Sequence, residues 1–293
     1  MISFMDLMSN LETLRIGVYD NEVELFLLCN NMKQSEIRYN FSGHETFHCR
    51  GFWLKKGFDY ANKPDAVFND SAVVELGVGR NMVGSIRYWL RAFGLFDDKD
   101  QLNELAQKIF QDEGLDPYLE DEGTLWLLHY SLIKNKSRAS IYHLIFGELR
   151  KTKPEFTKLH FKSLALEKDK SANENTIDKD FSVFVRTYFS KPSKDIEESF
   201  SGLLTELGLL HDLGRKDELK NPVYRIENRR QLAIPKEIVL YTILDNESYG
   251  DSISFNSLFE SHESPGNVFC FNKDNLETIL TELEKDFPGI VYK

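Results

Sequence analysis

Apolar residues recur at helical spacing through most of the chain from Phe41 to Leu164. The clearest case is the stretch before Gly94, where Met82, Ile86, Trp89 and Phe93 follow one another at intervals of 4, 3 and 4, with Val83 and Leu90 beside them. That spacing predicts one buried stripe on a helix from about Arg80 to Phe93, closed by Gly94. Helical periodicity returns at Phe181–Phe189 and Ile196–Leu210, and Val223-Tyr-Arg-Ile226 alternates as a strand does. Pro235 opens a helix through Leu244. The remainder reads as a helix (Ser254–Ser261), a strand (Asn267–Phe271), a helix (Lys273–Asp286) and a short strand (Ile290–Tyr292).

Two stretches break the pattern. Glu167 to Asp180 is charged and nearly free of apolar residues, which predicts a linker over 166–180. Residues 1–40 hold four Met and scattered Asn without a clean period after Glu22. They read as an N-terminal extension, with Met32 as a candidate natural start; the alternative is a helix over Val23–Cys29 packed on the core. The expected architecture is mainly α with small β elements (α+β), built from helix-turn-helix and winged-helix-like units in two α-rich domains. The first, 41–165, contains the helix-turn-helix, and the second, 181–293, is winged-helix-like.

The helix-turn-helix expectation rests on Ser71–Leu76, a turn holding Gly77 and Gly79, and the helix that follows. Opposite the buried stripe, that second helix carries Arg80, Gly84, Arg87 and Arg91, flanked by Asn81 and Ser85. Arginine suits phosphates and guanine edges, and Gly84 allows a close backbone approach. The same face is also what any solvated amphipathic helix shows. Arg50-Gly-Phe-Trp-Leu-Lys-Lys-Gly57 interleaves cations with aromatics, which places Lys55 and Lys56 as auxiliary phosphate contacts. Its alternative is a core element with Phe52, Trp53 and Leu54 buried.

His44-Glu45-Thr46-Phe47-His48 matches the zinc-protease pattern, whose spacing puts two imidazoles on one helix face. Glycines on both sides and the lack of an apolar run upstream argue against such a helix. An ordered turn in which His44 and Glu45 make local hydrogen bonds or help bind phosphate is the better reading. Asp116, Glu120 and Asp121 lie in an acidic block that would suit Mg²⁺ or Mn²⁺, or would simply favour a helix start. No glycine-rich nucleotide loop and no nucleophile elbow is present, so no nucleotide or organic cofactor is indicated.

Charge first counts against nucleic acid: Asp and Glu number 47 against 36 Lys and Arg, a net −11. Dividing it changes the picture. Residues 41–93 hold seven Lys/Arg and five acids, a local +2, whereas 97–122 carries ten acids and two lysines. DNA binding therefore has to be local, with an acidic surface left for a protein partner. Three dispersed cysteines, Cys29, Cys49 and Cys270, form no Cys-x-x-Cys pair and fit a reducing cytoplasm. The longest early apolar run, Val23–Cys29, is far below the roughly 20 residues of a membrane span.

Taken together, Phe41-Ser-Gly-His-Glu-Thr-Phe, Trp53-Leu-Lys-Lys-Gly, Leu76-Gly-Val-Gly-Arg-Asn-Met-Val, Asp116-Pro-Tyr-Leu-Glu-Asp, Thr124-Leu-Trp-Leu-Leu-His and Ser264-Pro-Gly-Asn-Val-Phe resemble one uncharacterised bacterial family. Its members are encoded beside phosphoadenosine-phosphosulfate-reductase-like proteins in DNA phosphorothioation and phage-defence islands. Its characterised relative is the DNA-nicking component of the Ssp phosphorothioation system. The resemblance spans roughly 40–293 and implies a protein acting on double-stranded DNA, nicking one strand so that sulfur enters the backbone. It implies a reductase-like or ATPase partner and no membrane. It supplies no catalytic set. For a nicking reaction the sequence offers acid-held Mg²⁺ or Mn²⁺ first and His44 with Glu45 next, and the non-enzymatic alternative is a scaffold docked to that partner.

Overall fold

Three mutually packed helices open the described chain: α1 (Trp53–Ala61), which the sequence leaves open between strand and helix, and the expected pair α2 (Ala72–Leu76) and α3 (Arg80–Ala92). Gly57 is where α1 crosses α3: a Cβ there would stand 2.7 Å from Ile86 and 2.9 Å from Leu90. Gly77 ends α2 in the left-handed conformation (φ 60°), and Gly79 opens α3. Ile86, Trp89 and Leu90 are fully buried. The computed structural model describes residues 38–97, 99–190, 201–250 and 252–287. The expected extension, apart from its last residues, and the strand at 290–292 lie outside the described residues, as does most of the first half of the helix expected over Ile196–Leu210.

The next helices are α4 (Glu104–Phe110), α5 (Glu122–Lys134) and α6 (Ser140–Leu144). α6 runs into a π-helical turn, Ile145–Leu149, and then α7 (Arg150–Thr152). After β1 (Glu155–Phe156) come α8 (Lys158–Lys168) and α9 (Glu174–Tyr188). β2 (His211–Lys216) and β3 (Pro222–Arg225) form a hairpin, and β1 adds to it, giving an antiparallel sheet of order β1-β3-β2 with Phe156 opposite Tyr224. Helices α10 (Lys236–Leu244), α11 (Phe255–Glu260), α12 (Pro265–Val268) and α13 (Lys273–Asp286) complete the described chain. The result is an α-rich α+β fold. Its centre is aromatic: Phe146 lies 4.8 Å from His129 and 5.3 Å from Tyr188, ring centre to ring centre. Among the described residues no helix is long and apolar enough to cross a membrane.

Three expectations are corrected. The 166–180 stretch is the end of α8, a short loop and the first half of α9, not a linker. Its charges pair between the two helices, Lys162 with Asp178 at 2.9 Å and Lys158 with the same carboxylate at 3.5 Å. The chain on either side is interleaved: α9 packs on α6 and α8, β1 pairs with β3, and residues 39–293 form one compact unit. Asn267–Phe271 does not form a strand. The Ser264 hydroxyl caps the Asn267 N–H with Pro265 at the first turn, so α12 forms. The apolar run Val268–Phe271 is wholly buried, and a run buried all round carries no period to separate strand from helix. Without that strand, the expected winged-helix unit is not formed by the described residues. Finally, Leu203 to Leu210 is loop with a single 3₁₀ turn at Thr205–Leu207, its helix-like spacing serving burial only.

Candidate functional site

The segment Phe41–Cys49 is a turn held between α3 and α9. Gly43 has φ 111°, and a Cβ on it would stand 2.7 Å from the Tyr88 ring, so glycine is needed twice over. Glu45 (φ 47°) and Thr46 (φ 68°) are both left-handed, and the Phe47 N–H closes the turn on the His44 carbonyl at 2.8 Å. Two successive non-glycine residues in that region cost about 1–2 kcal/mol each, so the surroundings must impose them.

They do so at four points. The His44 Nε2–H donates to Asp180 Oδ1 on α9 at 2.8 Å, and the Thr46 N–H donates to His44 Nδ1 at 3.1 Å. Because Nδ1 accepts, the ring proton sits on Nε2. Arg186 on α9 donates to the Thr46 carbonyl at 2.6 Å, and the Trp89 indole N–H on α3 donates to the Phe47 carbonyl at 3.1 Å. His44 and Asp180 are 4% and 2% exposed. Burial pushes the Asp180 carboxyl above the usual carboxylate range, against the pull of the His44 hydrogen bond. With both ring nitrogens engaged, His44 is placed to hold the turn, while Glu45 is exposed along its outer side. The zinc-protease helix is absent because 44–48 is this turn.

Beside the turn, a cavity of about 230 Å³ is lined by Thr46, Lys158, Lys179, Ser182 and Arg186, with Asp178. The turn also covers part of the arginine face of α3. The Glu45 side chain lies 3.6 Å from the Cβ position of Gly84, so the close approach that glycine permits is taken by this chain itself.

The remaining cations of the face each meet an acid. Arg80 pairs with Asp70 at 2.6 Å, and Arg87 and Arg91 share the Asp100 carboxylate. Burial alone would raise the Asp100 pKa, yet hydrogen bonds from Arg91 and Arg87 hold it below the usual value. Asn81 is exposed. Lys55 pairs with Asp59 at 2.6 Å and lies 3.7 Å from Asp112, and Lys56 donates to the Leu76 carbonyl at 3.0 Å, capping α2. The Phe52–Leu54 alternatives divide: Trp53 and Leu54 are buried, whereas Phe52 is 71% exposed.

The acidic block is structural in its geometry. Asp116 accepts the Glu120 and Asp121 N–H groups at 2.8 and 3.1 Å, and Asp121 caps α5 through the Gly123 N–H at 2.7 Å. Among the described residues no three His, Cys, Asp or Glu side chains are grouped to hold a metal ion. The described donor set therefore does not fit a divalent cation, and no step is assigned to one. Asp100, Asp180 and Arg186 were not anticipated. Asp180 had a signal: it shares the helical face of Ile177, Phe181 and Phe184, an acid inside an apolar stripe.

The fold and this turn define an α-rich protein in which a strained His-Glu-Thr loop is clamped against an arginine-bearing helix. Residues 41–293 match the family model described as "Protein of unknown function (DUF4007)", and the chain belongs to that family. Two solved structures are similar to it. The SspB crystal structure has 27% identity and a TM-score of 0.74 over 86% of this chain and 80% of that one. The magnesium ion-bound SspB crystal structure has 27% identity and a TM-score of 0.73 over 85% and 78%. No curated protein matches the chain.

Proposed function

We propose that this protein is the DNA-acting component of a bacterial DNA phosphorothioation or phage-defence system, binding duplex at the face of α3. The observation that carries the reading is the likeness to SspB across most of both chains. The face supports it chemically. Arg87 and Arg91 share a single carboxylate, which leaves a net positive charge and guanidinium N–H groups arranged along one side of the helix. Arg80 and Asn81 extend that side at its N-terminal end, and Lys55 and Lys56 lie on neighbouring α1. The exposed Arg80–Asp70 pair is weak enough for a phosphate to displace, and the half-buried Asp100 carboxylate leaves its two arginines with N–H groups that a phosphate can bridge.

Strand nicking is the activity this reading expects. Purified protein with supercoiled plasmid should yield open circles, assayed with Mg²⁺, with Mn²⁺ and with EDTA, for wild type and His44→Ala. Activity unchanged by chelator would remove a metal route, and intact plasmid together with no salt-dependent duplex retention would remove the reading itself.

One observation favours a second reading, a non-catalytic adaptor. Both ring nitrogens of His44 are occupied, so His44 offers no free imidazole base. Copurification with a phosphoadenosine-phosphosulfate-reductase-like or ATPase protein, duplex binding and no nicking would establish it.

A further inference from the structure

Arg150 is 7% exposed and follows directly on the π-helical turn. That turn lets its N–H reach back five residues to the Ile145 carbonyl, and single π turns recur at functional sites. The guanidinium is held by neutral acceptors alone. Nε donates to the Phe146 carbonyl at 3.0 Å, and Nη1 donates to Asn228 Oδ1 at 2.6 Å. Nη2 donates to the Asn267 carbonyl at 2.7 Å and to Asn267 Oδ1 at 2.8 Å. Four of the five N–H groups are thereby used, and one on Nη1 remains. No carboxylate among the described residues forms an ion pair with it. Buried charges are ordinarily paired, because desolvating an isolated one costs several kcal/mol. Its charge is felt nearby: burial, then Arg150, lowers the pKa of Lys151, against the pull of Glu260 and Glu148.

Arg150 lines a cavity of about 650 Å³. Asn228 accepts from Arg150 through Oδ1, so its Nδ2 amide keeps two donors. Lys151 adds an ammonium, and Ile226, Pro154 and Phe259 supply apolar wall. Glu227 and Glu260 also line it; both are exposed, as is Asn228, whereas Arg150 and Asn267 are buried. Donors around a buried cation, an apolar wall and exposed acids suit a small anion with an apolar body and disfavour a polyanion such as duplex DNA. Asn267 comes from Ser264-Pro-Gly-Asn, the family stretch that the DNA face leaves unused. A Cβ on Gly266 would stand 2.6 Å from the Phe259 backbone, so glycine lets α12 pack closely against the cavity wall.

We infer that the Arg150–Asn228–Asn267 cavity binds a small organic oxyanion, a phosphomonoester or a carboxylate, carried on an apolar body. Isothermal titration of the full chain with phenyl phosphate, benzoate and neutral benzyl alcohol tests this. At least one anion should saturate with Kd near or below about 1 mM, with benzyl alcohol about tenfold weaker or worse. Phenyl phosphate alone would assign phosphomonoesters, and benzoate alone carboxylates. Asn228→Asp keeps the acceptor for Arg150 but supplies the missing countercharge and removes the amide donors. It should raise or preserve the thermal unfolding midpoint while weakening anion binding about tenfold or more. Lys151→Met should weaken it several-fold. No saturable binding of either anion, or anion binding by Asn228→Asp within about twofold of wild type, would overturn the inference.

Discussion

The arginines of α3 and Arg150 carry the same group under opposite conditions. Arg80, Arg87 and Arg91 are partly or largely exposed, and every one of them meets a carboxylate. Arg150 is buried and meets only carbonyl and amide oxygens. Solvent supports the first set, so its ion pairs are exchangeable and suited to a mobile, salt-sensitive contact. The fold supports the second, which is fixed in place and keeps an uncompensated charge. Counting cations along a chain cannot separate these cases.

The largest expected difference is in stability. Arg150→Met removes four hydrogen bonds and leaves the Phe146 and Asn267 acceptors buried without a donor, which should cost about 3 kcal/mol in urea unfolding. Arg87→Met with Arg91→Met should cost about 1 kcal/mol or less. Equal losses would break the comparison. His44→Ala belongs with Arg150, because it leaves Asp180 buried without its partner, and should cost about 3 kcal/mol.

A pH series sharpens the same contrast. Burial, with Arg150 adding to it, pushes His129 down to about 3, and burial pushes His143 down to about 4. Both rings are neutral in the folded protein at pH 7, while the unfolded chain takes up protons near 6.5. Stability therefore falls as pH drops from about 6.5 toward 4, by up to about 1.4 kcal/mol per unit for each ring. Asp180, raised by burial, has the opposite sign: its contribution is present at low pH and is lost as pH rises. Comparing His129→Gln with wild type at about pH 4.5 and 7 isolates the His129 share, and identical slopes would contradict the assignment. At the small end, Arg80→Ala should change stability by less than about 0.5 kcal/mol, since its pair with Asp70 is exposed.

How much of this was legible in the sequence follows from contact range. Helices α2, α3, α10, α11 and α13 are legible from stripes, caps and glycine or proline signals that act within a few residues, whereas α1 is not, because Arg50–Gly57 reads equally as a cation–aromatic stretch. The turn at 44–48 was recognisable from its flanking glycines. Asp100, nine and thirteen residues beyond the two arginines that share it, reads as part of a separate acidic segment. Asp180 reads as linker in the sequence because its partner lies 136 residues away. Arg150 carries no local mark, since apart from the Phe146 carbonyl its partners are 78 and 117 residues distant. Charged residues in polar stretches read as solvated until the fold shows what faces them.

The central claim, that α3 is a DNA-binding face tuned by Asp100, is tested most directly by fluorescence anisotropy of a labelled duplex across a salt series. Wild type, Asp100→Asn and Arg87→Ala with Arg91→Ala would be compared at matched salt. Asp100→Asn frees two guanidinium groups and should tighten binding about five- to tenfold at low salt, with a steeper salt dependence. The double variant should bind more weakly, with the log–log salt slope reduced by about 2. Three proteins with the same affinity and the same slope would contradict the account.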